Sequence, residues 1–129
     1  MPKRPRRFNQ KPFKDVPKKG VVHVRATFNN TIITITDDEG NTFFSISAGR
    51  AGFSGSRKST AYAAQTATRK LCARAFRQGM REIEIWVRGP GLGRKASLRA
   101  LRRNRLKILR IKDKTSKPHN GCRLRKQRR

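Results

Sequence analysis

Residues 47–60 read SAGRAGFSGSRKST and stand between a run of alternating side chains and an alanine-rich run without glycine or proline. The first run reads as a strand and the second as a helix, so the stretch is a strand-to-helix joint and points to an α/β chain. Its three glycines and three cations suit it to an anion. Glycine lets backbone N–H groups approach closely, and the first turn of a helix adds unbonded N–H donors with a partial positive charge. The expected anion is phosphate, either a nucleotide's or that of a nucleic-acid backbone.

Upstream of the joint, Val22, Val24, Ala26 and Phe28 alternate with Val21, His23, Arg25 and Thr27, which predicts a strand. Asn29-Asn30 tolerates a left-handed backbone and turns the chain into a second strand, residues 31–36, of alternating Thr and Ile. The acidic turn 37–41 (DDEGN) leads to a third strand, residues 42–48, with Phe44 and Ile46 on one face. Three strands in meander order are expected.

Downstream, residues 61–78 place Ala64, Ala67, Leu71 and Ala75 on one stripe, as in an amphipathic helix. Thr60 is a suitable cap for its start, Gly79 can close it in the left-handed region, and Cys72 reads as a buried structural thiol. Residues 82–88 alternate again, with Ile83, Ile85 and Val87 on one face and Trp86 on the other, the pattern of a strand covered on both sides. GPGLGR at 89–94 is a second glycine-rich turn before a helix at 95–103, and a last strand is expected at 106–113. Arg94, Lys95, Arg99, Arg102, Arg103 and Arg105 make that segment too basic to face water alone.

Residues 1–19 and 114–129 are basic and poor in apolar side chains, so the chain divides into an N-terminal arm, one α/β domain at 20–113 and a C-terminal tail. The arms are expected to order on a partner. With 34 Lys and Arg against 7 Asp and Glu in 129 residues, the formal charge is +27, and self-repulsion on that scale calls for a polyanion. No apolar run is long enough to span a bilayer, and the basic N-terminus lacks the apolar core of a secretory signal. Two cysteines are too few for a disulfide framework, which favours a reducing compartment.

Enzyme-like readings of the two glycine turns do not hold. A phosphate-binding loop of the Walker type needs Gly directly before its Lys, whereas Lys58 follows Arg57. A dinucleotide turn needs a third glycine where Arg94 stands. His119 and Cys122 lack a second ligand pair for zinc, and Asp37, Asp38 and Glu39 share one turn, where solvation is the default. No cofactor and no metal is expected. Phosphate-backbone recognition remains, spread over the arm, the two joints and the tail, with Ser59, Lys95, Arg99, Arg125, Lys126, Arg128 and Arg129 adding hydroxyl or charge. Phe53 is the one aromatic side chain in a glycine turn suited to base stacking.

The runs HVRATFNNTIITIT (23–36), SAGRAGFSGSRKST with the following AAQTA, GPGLGR (89–94) and PHNGCR (118–123) occur here in that order. In these motifs, and over nearly the whole chain from about residue 18, the sequence resembles the family of the eleventh protein of the small ribosomal subunit, bacterial and organellar type. The resemblance implies a single α/β domain with a mixed five-stranded sheet of order 3-2-1-4-5, a ribonuclease-H-like topology with helices on both faces, and no catalytic activity. It implies a structural role on the platform of the small subunit, bridging helices of small-subunit ribosomal RNA near the messenger exit cleft. Ribosomal proteins seven and eighteen, initiation factor three and nearby messenger RNA are the implied partners, with no membrane and no homo-oligomer. By motif match, Asn29, Asn30, Arg50, Gly52, Phe53, Ser56, Arg57 and Lys58 would lie at or near the RNA. So would Gly89, Gly91, Gly93 and Arg94, and in the tail His119, Asn120, Gly121 and Arg123.

Three departures from the family pattern stand out: Ala61 where a Pro is usual, Leu124-Arg125 where Pro-Pro is usual, and a more charged 114–117. With wording close to plastid and cyanobacterial members, they suggest an organelle-encoded copy. The alternative reading is a nucleic-acid-processing enzyme on the same fold, for which Asp37–Glu39 would have to supply the metal-binding carboxylates.

Overall fold

The computed structural model describes residues 16–116 and 119–123. The chain runs β1 (Lys19–Ala26), β2 (Thr31–Thr36), β3 (Thr42–Ser47), a 3₁₀ turn (Gly55–Ser59), α1 (Ala61–Arg77), β4 (Glu82–Arg88), α2 (Gly93–Arg103) and β5 (Lys107–Asp113). Every strand and helix of the sequence reading is present with ends shifted by at most two residues, and only the 3₁₀ turn was not anticipated.

The five strands form one sheet of order β3-β2-β1-β4-β5. β1 pairs antiparallel with β2 and parallel with β4, β2 pairs antiparallel with β3, and β4 pairs parallel with β5. Val22 lies opposite Ile35 on one side and Ile85 on the other, and Val24 opposite Ile33 and Val87. One face of the three central strands is therefore continuously aliphatic.

The expectation of helices on both faces is corrected by the structure. β3 is parallel to β4, and β4 to β5, so α1 and α2 are crossovers that travel across the sheet in the same direction. Right-handed connections then place both on the same side. Consistent with this, Ala67, Leu71, Cys72 and Ala75 of α1 and Leu101 of α2 share a single core with Val22, Val24, Ile33, Ile35, Ile83, Ile85 and Val87. The start of α2 sits directly on α1, since a β-carbon at Gly93 would come within 3.0 Å of the Ala64 methyl. The other face carries no helix among the described residues, so β4 is not sandwiched as its two-sided pattern suggested, and Trp86 is only partly buried.

Each fully buried Ile, Leu or Val contributes about 1.5–3 kcal/mol relative to an exposed position, and truncation of one such as Ile85 to Ala costs about 2–5 kcal/mol. Alanines on the α1 stripe let that helix lie close to the sheet. Cys72 is buried as expected, and burial pushes its thiol up to about 12. Thr60 caps α1, its Oγ1 accepting from the Ala63 N–H at 3.2 Å, and Gly79 closes the helix at φ +104°. Phe28, expected on the buried face, is 76% exposed because β1 ends at Ala26 and the chain turns. Val16 packs on the core and the Lys18 carbonyl accepts from the Arg81 and Glu82 N–H groups, so the ordered unit begins before residue 20.

Candidate nucleic-acid interface

The first joint is built by its own backbone. After β3 the Ala51 N–H donates to the Ser47 carbonyl (3.0 Å) and the Phe53 N–H to the Ala48 carbonyl (3.2 Å), closing a tight loop. Ser47 Oγ accepts from the Arg50 N–H at 3.2 Å. Gly52 adopts φ +107° and Gly55 φ +57°, and a β-carbon at either would meet nothing within 4 Å among the described residues. These two glycines answer a backbone demand and leave open space in front of them. The 3₁₀ turn then presents Ser56 and Arg57 to solvent with Lys58 and Ser59 half-buried. Thr60 Oγ1 donates to the Arg57 carbonyl at 2.8 Å, tying this turn to α1. Phe53 makes an edge-to-face contact with Tyr62, centroids 5.8 Å apart, so the expected stacking residue is half of an aromatic pair.

Beside the joint, a groove of about 250 Å³ runs between β3 and α1, lined by Ser45, Ile46, Arg50, Lys70, Leu71, Arg74 and Arg77. Lys70 Nζ donates to the Ala51 carbonyl at 3.2 Å, and the Arg74 guanidinium stands 5.1 Å above the Phe44 ring. α1 contains no acid, and Lys70 with Arg74 is a like-charge pair at i, i+4, which weakens a helix unless an anion offsets it. Lys70, Arg74 and Arg77 were absent from the sequence-level candidates. Their spacing along an acid-free helix is the signal that could have found them.

The second joint is also glycine-rich, on a different physical basis. A β-carbon at Gly91 would overlap the Thr27 carbonyl oxygen, and one at Gly93 the Thr31 hydroxyl. Both residues are buried under the β1–β2 hairpin. The Gly91 N–H donates to the Ala26 carbonyl at 3.2 Å and the Gly89 N–H to Thr115 Oγ1 at 3.3 Å, so these amides are already engaged within the fold. Arg94 donates to Asp113 Oδ2 at 2.8 Å, and Asp113 also accepts from Thr115 Oγ1 (2.6 Å) and the Thr115 N–H (2.9 Å). The Thr115 hydroxyl and then Arg94 hold the Asp113 carboxyl well below the usual carboxylate range. Within the hairpin tip, Asn30 is a turn-builder, its Oδ1 accepting from the Thr31 N–H at 2.9 Å, while Asn29 is exposed.

A family model for ribosomal protein S11 matches residues 20–129. The chain belongs to the ribosomal protein S11 family. It is 52% identical over all 129 residues to the small ribosomal subunit protein uS11 of Methylobacterium radiotolerans, covering 99% of that protein. It is 51% identical over 126 residues to the uS11 of Nitratidesulfovibrio vulgaris, with 98% of each chain covered. The S11 family is one of structural ribosomal proteins, and the chain is not an enzyme. These relatives are bacterial and lend no support to the suggestion of an organelle copy.

Set on the S11 fold, the expected interface residues separate into groups. Asn29, Arg50, Gly52, Ser56, Arg57, Lys95 and Arg99 are exposed, as are His119, Asn120, Gly121 and Arg123 of the tail. Phe53, Lys58, Ser59, Asn30, Gly89 and Arg94 are half-buried, and Gly91 and Gly93 are buried. Arg125, Lys126, Arg128 and Arg129, and most of the N-terminal arm, lie outside the described residues. Two further acids have structural partners: Asp37 Oδ1 accepts from the Glu39 N–H (2.9 Å) and the Asn41 N–H (2.8 Å) within their turn. Glu84 receives the Trp86 indole N–H at 2.8 Å and the Arg110 guanidinium at 3.1 Å, and the indole N–H first and then Arg110 lower its pKa, against burial. No helix of the described residues is long and apolar enough to cross a membrane.

Proposed function

We propose that the chain is a structural, RNA-binding constituent of the small ribosomal subunit. One observation carries the reading: Arg57 and Lys58, lifted on the 3₁₀ turn in front of open glycines, take part in none of the ion pairs among the described residues. Pairs there include Arg94 with Asp113, and Arg110 and Lys112 with Glu84, on the β4–β5 side. Cations left beside an acid-free helix are suited to phosphates, which position an RNA without reading its sequence. The first joint and the α1 groove form one grip. The second joint is a rigid bracket that presents the hairpin tip, Lys95 and Arg99 as another.

The resemblance of the motifs supports a finer assignment: a place on the platform, bridging helices of small-subunit ribosomal RNA near the messenger exit cleft, beside ribosomal proteins seven and eighteen. Initiation factor three is the proposed transient partner. Replacing Arg57 and Lys58 together by Glu should abolish phosphate binding at the first grip. The slope of log affinity against log salt for small-subunit RNA is expected to fall by roughly 0.7–0.9 for each phosphate that the variant no longer neutralises. Undiminished assembly of that variant into small subunits, with an unchanged salt slope, would contradict the assignment.

A further inference from the structure

The face of the sheet opposite the helices is as organised as the helical side, and nothing in the joints accounts for it. Because β1 and β4 are parallel and in register, His23 stands opposite Trp86 and Arg25 opposite Arg88. Period-two alternation puts all four on this open face as two successive rungs, one aromatic and one cationic, about 6.6 Å apart. The aromatic rung is held in place: His23 and Trp86 meet edge to face at 5.1 Å, the His23 Nε2 pairs with Thr36 Oγ1 at 2.9 Å, and the indole N–H is fixed on Glu84. Lys114 Nζ lies 4.6 Å from the centre of the Trp86 ring.

These rungs line a groove of about 310 Å³ floored also by Ile32 and Thr34. It shares Arg25 and Arg88 with a second groove of about 440 Å³ that reaches Phe28 at the hairpin tip and the Gly89-Pro90 turn. Each volume is in the range of small-ligand sites, roughly 300–1,000 Å³. Phe28 is 76% exposed and Ile32 37%. A half-buried Trp86 at one end of a pair of arginines and an exposed Phe28 at the other offer ring surface to bases and guanidinium groups to phosphates, an arrangement suited to unpaired nucleotides.

We infer that the open face binds a short unpaired RNA segment, its bases against Trp86 and Phe28 and the intervening phosphate between Arg25 and Arg88. The inference rests on the RNA-binding reading above and adds to it a site for bases, where the joints hold only backbone. The chain's own arms are poor occupants, since residues 1–15 carry six cations and one acid, and the last seven residues carry five cations and no acid. A duplex would present phosphates to the arginines but keep its bases from the rings, leaving the aromatic surface uncovered.

Trp86 is the single tryptophan of the chain and so reports this face alone. Titrating the full-length protein with a short oligouridylate is expected to quench Trp86 emission saturably and to shield it from iodide. Phe28→Ala should weaken the apparent affinity about tenfold, in line with the loss of one stacked base, and Arg25→Glu with Arg88→Glu should abolish the response. Equal quenching by a duplex of the same length, or by polyglutamate as a polyanion without bases, would overturn the inference, as would no quenching at all. The Arg57→Glu, Lys58→Glu variant separates the two readings. Retained quenching with lost binding to small-subunit RNA places the bases on the open face, whereas retained RNA binding with no quenching in the parent protein overturns the open-face site and leaves the joints intact.

Discussion

The two glycine-rich joints look alike in sequence and are opposites in space. In the first, Gly52 and Gly55 are required by positive φ, and their missing side chains would face nothing among the described residues. In the second, Gly91 and Gly93 are required because the hairpin backbone and the Thr31 side chain fill the place a β-carbon would take. Composition reports that glycine is needed, not whether the need is conformational or steric. The distinction bears on the proposed interface: among the described residues the first joint leaves room for a ligand, while the closed one locks the turn onto β1 and sets where the hairpin tip stands.

Substitution by alanine breaks the likeness most directly. Gly91→Ala drives a methyl into the Thr27 carbonyl and should cost more than about 3 kcal/mol, well beyond ordinary overpacking, seen as a large fall in the urea midpoint or as loss of folding. At Gly52 the same change strains only a left-handed backbone and should cost about 1–2 kcal/mol, with the fold retained. Similar losses at both positions would erase the contrast.

A smaller effect tests the exit of the first joint. Thr60 has φ −75° and ψ 152°, the extended conformation that a following proline favours, and residue 61 is the first of α1. Ala61→Pro is therefore expected to stabilise the protein by about 0.4–1 kcal/mol by restricting the unfolded chain; a lower melting temperature would show that the joint needs the freedom it now has.

The smallest effect belongs to the clamp of the second joint. Asp113 has a carboxyl pKa depressed in the fold, so its contribution is fully present above the ordinary carboxylate range near 4 and is lost as pH falls below that range toward the depressed value. The difference in melting temperature between the parent and Asp113→Asn should be steady from pH 7 to 5 and shrink in stronger acid. A difference that grows on acidification would contradict the clamp.

Much of the architecture was legible because local physics and tertiary environment agree. Thr60, the alanine stripe and Gly79 specify α1 between them, and alternation specifies β1, β2 and β4. The charge of +27 and the cations of the 3₁₀ turn pointed to phosphate in the same way. The placement of both helices on one face was not read, because periodicity assigns a residue to a face without saying what covers it. Handedness of the crossovers decides that. Likewise Trp86 suggested a two-sided burial, and only the pairing of β1 with β4 reveals that its neighbours are His23, Glu84 and flanking cations.

What the sequence determined by itself is the order of elements, their caps and the need for a polyanion, since these follow from local backbone preference, side-chain period and net charge. What the tertiary structure decided is which glycines leave room for a ligand, which cations are tied to carboxylates, and which sheet face stays open. Each depends on atoms far apart in the chain: Gly91 meets Thr27, Arg94 meets Asp113, and Arg25 stands beside Arg88 only because distant strands lie side by side.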